Sequence, residues 1–245
     1  AVGKGFRSAR ECWHWFTNPL PELQPAFRFA CETVNYTKID KTGEHVRQPL
    51  NSTKYPNLIS VPYPSSVHFY SDTNLSNLPQ FDMSRKRNHL MSFVGSALHG
   101  DTAVRSKIAK VCNEVDDTIC KFAGADSSLS EEKSNAVFCL EPAGDSPGRK
   151  SPSDSVALGC IPVFFSDLSD DFGHWFWGEW KDRGRVLVPR GPFVGTEDCI
   201  DLVQLLQSAP PQLISLMQET LRQRARRFQF SVDDDQEDGI RVILD

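Results

Sequence analysis

No stretch of this 245-residue chain approaches the roughly 20 consecutive apolar residues that carry a helix across a bilayer, so as given it reads as soluble. The opening AVGKGFRSARECWHW also lacks the apolar core of a secretory signal. Positive charge is in short supply. Lys and Arg number 27 against 32 Asp and Glu, the net charge is -5, and the basic residues are dispersed. A phosphate-backbone binder clusters its cations on one surface, so nucleic acid is excluded as a partner. The seven cysteines form no CxxC and no His/Cys spacing of the zinc type, which argues against a structural metal. A G-x-G-x-x-G turn is missing too: the glycines of Gly95-Ser96-Ala97-Leu98-His99-Gly100 are wrongly spaced for a dinucleotide, and an oxidoreductase of that kind falls away. There is no internal repeat and no low-complexity tract.

What is present is a globular chain, 39% hydrophobic, enough for a core. Cys112 and Cys120 flank the polar run NEVDDTI; a disulfide closing that loop would fit an oxidising compartment, and buried free thiols fit as well. Three N-x-[ST] triplets, at Asn35, Asn51 and Asn74, lie in polar, turn-rich sequence and point toward the secretory pathway.

Residues 1 to about 56 are weakly organised, and TKIDKTGEHVRQPLNSTKY reads as a long surface loop without strands. NLISVPYPSS reads as a short strand ended by prolines, and a lobe boundary is expected between Pro64 and Arg85, dividing the chain into a partial N-terminal lobe (1–84) and a second lobe (85–245). Beyond it the pattern is regular. LMSFVG (90–95), AVFCLEP (136–142), CIPVFF (160–165) and RVLVP (185–189) are buried-strand runs. TAVRSKIAKVC has Val104, Ile108 and Val111 at helical spacing, a short helix is expected to end at Gly159, Thr196 is expected to cap a helix bearing Ile200, Val203 and Leu206, and a second helix carries Leu213, Leu216, Met217 and Leu221. Alternating strands and helices predict a parallel sheet sandwiched by helices, an α/β fold. The aromatic run HWFWGEW (174–180) suits stacking on sugar rings, but burial in the core is the better use of it.

The most informative segment is FCLEPAGDSPGRKSPSDSVALGCIPVFF (138–165). Its loop follows a strand, and ligands of open parallel sheets bind beyond the carboxyl ends of strands. Gly144 and Gly148 let backbone approach a ligand, while Ser146, Arg149 and Lys150 offer donors suited to a diphosphate. Ser151-Pro152-Ser153-Asp154 has the form of a helix start, with Ser151 as N-cap, proline at the first helical position and a carboxylate at the third. Taken singly, Asp154 is a capping carboxylate and Arg149 a surface residue; together, glycines, cations and a helix start meet in one loop between two buried strands.

GDSPGRKSPSDSVALGCIPVFF resembles the motif of the exostosin-like inverting glycosyltransferases, in particular their plant and algal branch. PNLISVPYPSSVH, RNHLMSFVGSA, Val104-Arg105 and RFQFSVDDDQEDGIRVIL resemble further segments of that family, so the likeness runs over about residues 56 to 245. It departs from the family at Pro152 and Ser153, where a small and an aromatic residue are usual, and in the shortness of the first lobe.

The resemblance implies a GT-B-like architecture of two Rossmann-like lobes, with a nucleotide-sugar, a UDP-sugar, held by the second and passed to a glycan acceptor with inversion. Carried over by position, Arg149 and Lys150 face the diphosphate, the backbone of Gly144, Asp145 and Ser146 lines it, Asp154 reaches the ribose, and Arg87 and Arg105 stand at the front of the site. The cations do the work that a metal would otherwise do, so no metal and no cofactor beyond the nucleotide-sugar is expected. The catalytic base stays unassigned; His68 and Asp145 are candidates. The resemblance also implies the Golgi lumen, with a type II membrane anchor upstream of this chain. A non-catalytic, glycosyltransferase-like subunit that binds glycan or steadies an active transferase partner is the competing reading.

Overall fold

A computed structural model describes residues 63–124, 129–144, 148–171, 177–195, 199–231, 233 and 235–244, together with four short strands before them. The expected second lobe is built on a five-stranded, all-parallel sheet. Its strands are β5 (His89–Val94), β6 (Cys120–Ala123), β7 (Ala136–Glu141), β8 (Ile161–Phe164) and β9 (Val186–Leu187), in the spatial order β6-β5-β7-β8-β9. β7 and β8 are apolar runs because helices cover both of their faces; Phe138, Leu140, Ile161 and Val163 are all nearly inaccessible. The four early strands are β1 (Arg28–Ala30), β2 (Asn35–Thr37), β3 (Val46–Gln48) and β4 (Leu58–Ser60). β1 pairs with β4 in parallel and β2 with β3 antiparallel, so the polar stretch expected to be a strandless loop carries a two-stranded ladder. Three-residue strands are too short to leave a period-two signal in sequence.

Crossover helices join the sheet. Helix α1 (Thr102–Asn113) follows β5 and buries Val104, Ile108 and Cys112, one residue per turn facing the sheet. Helix α2 (Leu129–Ser134) precedes β7, and α3 (Ser151–Ala157) links β7 to β8. After α3, Gly159 turns the chain with φ +64, a conformation that glycine adopts without steric cost. Helix α4 (Asp167–Asp171) leaves β8, and α5 (Arg190–Val194) leaves β9. The following helix, α6 (Leu202–Gln207), is capped by Asp201, whose side chain accepts the Gln204 N–H at 3.0 Å. That replaces the expected cap at Thr196, which lies outside the described residues: the carboxylate next to the helix start wins over a hydroxyl further back.

Helix α7 (Pro211–Arg224) continues through a 3-10 turn (Ala225–Phe228), and α8 (Gly239–Leu244) closes the chain. Met217 and Leu221 of α7 are buried, but Leu213 and Leu216 are 46% and 51% exposed, so the helical spacing overstated the width of the buried stripe. Trp177 and Trp180 are 3% and 5% exposed and pack on Phe228, which assigns them to the core.

Residues 63–82 lie on this same lobe. Phe69, Leu75 and Phe81 join its core, Ser65 N–H donates to the Phe228 carbonyl at 2.6 Å, and Phe69 exchanges hydrogen bonds with the Gln229 side chain. Two disulfides staple the fold: Cys112–Cys120 joins the end of α1 to the start of β6, and Cys139–Cys160 joins β7 to the residue before β8. The second pairing was not legible in the sequence, because both cysteines sit inside apolar runs 21 residues apart.

Candidate functional site

The strand order decides where a ligand would bind. The chain leaves β5 toward β6 on one side, then crosses back to β7 and continues outward to β8 and β9. The connections from the neighbouring strands β5 and β7 therefore run in opposite directions, and between their carboxyl ends lies the crevice of an open parallel sheet. Two loops meet there, 95–101 after β5 and 142–150 after β7.

Backbone contact fixes the two loops. Gly100 has φ +74, and a Cβ on it would stand 2.6 Å from the Gly144 backbone, so neither the dihedral nor the space admits a side chain. Arg105, on the first turn of α1 and 3% exposed, reaches across: it donates to the carbonyls of Ala143 (2.8 Å), Ser96 (2.7 Å) and Pro142 (3.3 Å). Arg149 also donates to the Pro142 carbonyl, at 3.3 Å, and its stem packs on Gly144. Burial pulls the Arg149 guanidinium below its ordinary range, although a guanidinium stays protonated at working pH. Neither arginine is ion-paired with a described carboxylate. Two cations thus stand at the switch point with carbonyl oxygens as their partners.

The start of α3 differs from the expected capping box. Lys150 occupies the N-cap position with no side-chain capping bond, and the Asp154 N–H pairs with the Lys150 carbonyl. The Ser151 hydroxyl is taken by a buried network instead. Lys133, from α2, ion-pairs with Glu141 at the end of β7 and donates to Ser151 Oγ (2.8 Å), Ser151 O (2.9 Å) and Ser155 Oγ (2.6 Å), while Ser155 Oγ donates to Glu141 (2.6 Å). Lys133 and Glu141 are 2% and 3% exposed. Asp154 is fully buried and turns toward the segment before β5. It accepts Ser65 Oγ (3.0 Å) and the Ser66 N–H (2.7 Å), and pairs with Lys150. Lys150 in turn donates to Ser66 Oγ at 2.5 Å.

Arg87 is not brought to this site. Its guanidinium donates to the carbonyls of Gln80, Ser134, Ala136 and Gly159, at the amino ends of β7 and β8. It is a structural clasp at the opposite end of the sheet, and burial, with Arg85 nearby, pushes it down to about 10. The sequence could have said so, since residue 87 precedes β5 and strands of a parallel sheet share one direction. Gly144 and Gly148 belong to the loop after β7; Asp145 and Ser146 lie outside the described residues. His68 is exposed.

Beside the two arginines a cleft of about 280 Å³ opens over the ends of β8 and β9, lined by Asp101, Ala143, Ser166, Asp167, Pro189 and Arg190 among others. Asp101 and Arg190 form a two-pronged ion pair across it, at 2.7 and 3.1 Å, both nearly buried. Asp101 also caps α1, accepting the Val104 N–H. Sequence reasoning overlooked this pair, and the Lys133–Glu141 pair, because each joins residues on separate elements. Asp101 had a signal of its own: an aspartate directly before an apolar helical stripe.

Comparison with known proteins follows the same outline. The chain is 33% identical over 176 residues to xyloglucan-specific galacturonosyltransferase 1 of Arabidopsis thaliana, covering 69% of this chain and 25% of that protein. It is 31% identical over 171 residues to the probable xyloglucan galactosyltransferase GT13 of the same plant, covering 66% and 36%. The chain thus spans between a quarter and about a third of the length of these curated relatives. Among solved structures, the pneumococcal O-GlcNAc transferase GtfA in complex with UDP and GlcNAc aligns with 85% of this chain and 50% of its own at 11% identity, with a TM-score of 0.41, a likeness too distant to carry an argument. The exostosin GT47 domain matches residues 46–171, more than half of the sequence, and takes in β5, α1, β7, α3 and β8 with the switch-point loops between them. The chain belongs to the exostosin GT47 family.

Proposed function

We propose that this chain carries the donor-binding lobe, with part of the acceptor lobe, of a GT-B glycosyltransferase that moves a sugar from a UDP-sugar to a glycan with inversion. The observation that carries the reading is the pair Arg105 and Arg149, two guanidiniums with no carboxylate partner among the described residues, held at the switch point of a parallel sheet. Such an arrangement suits a diphosphate, whose oxygens would supply the missing negative charge.

Inverting transfer needs the nucleoside diphosphate stabilised as it leaves with extra negative charge. Arg149 is the partly exposed member of the pair and would make the direct contact. Arg105, buried behind it, holds the Pro142–Ala143 backbone in place and adds its field. Lys150 is committed to Asp154 and Ser66, so its contribution is to order the loop. The cleft between the Asp101–Arg190 pair and Asp167 adjoins Ala143 of the same loop and has room for a group attached to the diphosphate.

The xyloglucan transferases among its relatives support a cell-wall-type polysaccharide as acceptor. Two disulfides in the described residues support an oxidising compartment and agree with residence in the Golgi lumen behind an upstream anchor. Calorimetric titration with UDP and a panel of UDP-sugars tests the reading. Saturable binding that Arg149→Ala weakens is expected, and no binding of any nucleotide by the chain with its upstream region restored would overturn it.

A further inference from the structure

Of the three N-x-[ST] triplets, Asn35-Tyr36-Thr37 lies in paired strand β2 and Asn51-Ser52-Thr53 lies outside the described residues. The third, Asn74-Leu75-Ser76, forms a turn on the surface of the second lobe. Leu75 is 8% exposed and anchors the turn in the core, while Asn74 and Ser76 on either side of it face solvent. Asn74 Oδ1 accepts the Ser76 N–H at 3.0 Å, which folds the carboxamide toward the residue that bears the hydroxyl. Its Nδ2 donates to none of the described residues. Ser76 Oγ accepts from Arg222 at 2.6 Å, and that leaves its own proton unused.

We propose that Asn74 is an N-glycosylation site. The asparagine is the acceptor and a lipid-pyrophosphate-linked oligosaccharide of the secretory lumen is the donor, joined by that compartment's oligosaccharyltransferase. Nδ2 gives up one hydrogen as a proton to a base of the transferase and forms a bond to the anomeric carbon of the first sugar. The bond from that carbon to the pyrophosphate oxygen breaks, and the lipid pyrophosphate departs with the electron pair.

Three observations carry the assignment. The acceptor asparagine and the hydroxyl two residues on are both exposed in an ordered turn, where a bulky polar group displaces only water. The disulfides Cys112–Cys120 and Cys139–Cys160 fit maturation in the oxidising lumen that holds the transferase. The location is also harmless to the site. Gln80, shortly after Ser76, gives its carbonyl to Arg87 at the amino ends of β7 and β8, so a glycan on this turn sits at the end of the sheet opposite the switch-point loops. The modification is independent of nucleotide-sugar binding.

The test is expression of the chain behind a secretory leader in eukaryotic cells, with peptide mapping by mass spectrometry before and after amidase digestion. The peptide bearing Asn74 is expected to carry a glycan that the amidase removes, leaving aspartate at that position. Ser76→Ala should abolish the modification while keeping the asparagine, and Ser76→Thr should retain it. Both secreted and cell-retained protein are read, because transfer precedes folding and a variant that fails to fold still reports. An unmodified Asn74 peptide in the wild type would overturn the assignment, and so would a wild-type glycan that maps to a residue other than Asn74.

Discussion

Arg105 and Arg149 donate to one and the same oxygen, the carbonyl of Pro142, each at 3.3 Å. Two legs of 3.3 Å put the donor nitrogens no more than 6.6 Å apart. Like charges at that distance repel by about 2.5 kcal/mol at an effective dielectric of ~20, before water screens the outer one. No described carboxylate relieves this, so the fold maintains a concentration of positive charge at the crevice.

The two arginines should separate on mutation. Arg149→Ala removes a partly exposed side chain with one long hydrogen bond, so the folded state should hardly change. Loss of charge-assisted hydrogen bonds worth about 1.5–3 kcal/mol should weaken UDP binding roughly 10- to 100-fold. Arg105→Ala also strips three carbonyls of a donor, two of them buried, and should cost on the order of 2–4 kcal/mol of stability. Urea denaturation paired with calorimetry checks both. Equal stability losses would mean that Arg149 is a second structural clasp.

Asp154→Asn is expected to act on stability. The carboxylate accepts from Ser65 and Ser66 and pairs with Lys150, and an amide in its place presents an NH₂ group to one of these donors. A loss of about 1–3 kcal/mol follows, larger than a capping carboxylate would give. Binding of UDP and of pyrophosphate should change in parallel. A loss confined to UDP would restore a ribose contact to Asp154.

Lys133→Met leaves Glu141 buried without its cation and should destabilise the protein by about 3–5 kcal/mol. Adding Glu141→Leu should recover a large part of that loss, since an apolar pair tolerates the same burial. The double-mutant cycle, read by denaturant melts, measures the coupling. An additive cycle would deny that the two residues form a unit.

Replacing Cys139 and Cys160 by alanine opens a covalent loop of 21 residues' separation and should lower stability by about 3 kcal/mol, the chain-entropy value for a loop of this size. A melt of the variant against oxidised wild type reads it, with Cys112→Ala/Cys120→Ala as the shorter-loop comparison.

The legible parts of this fold are those where one residue pattern had one structural use. The runs 90–94, 136–141 and 160–165 are apolar but for Ser92 and Glu141 and sit as neighbouring strands of one sheet. β6 escaped notice because its four residues, CKFA, include two that are only half-buried. At the site, the loop around Arg149 was legible from its glycines and cations together. What its side chains touch was not, because Asp154 meets Ser65 across 89 positions and Lys133 meets Ser151 across 18. Sequence proximity suggested a capping box at Ser151, and a competing partner 18 residues earlier claimed its hydroxyl.

The bond between Cys139 and Cys160 makes a closed covalent ring of everything between them, and that ring contains Pro142, Gly144, Arg149, Asp154 and the whole of α3. A protease that nicks the chain anywhere within it severs the backbone without releasing a fragment. The cut protein would run as one band until a reductant is added, and only then as two.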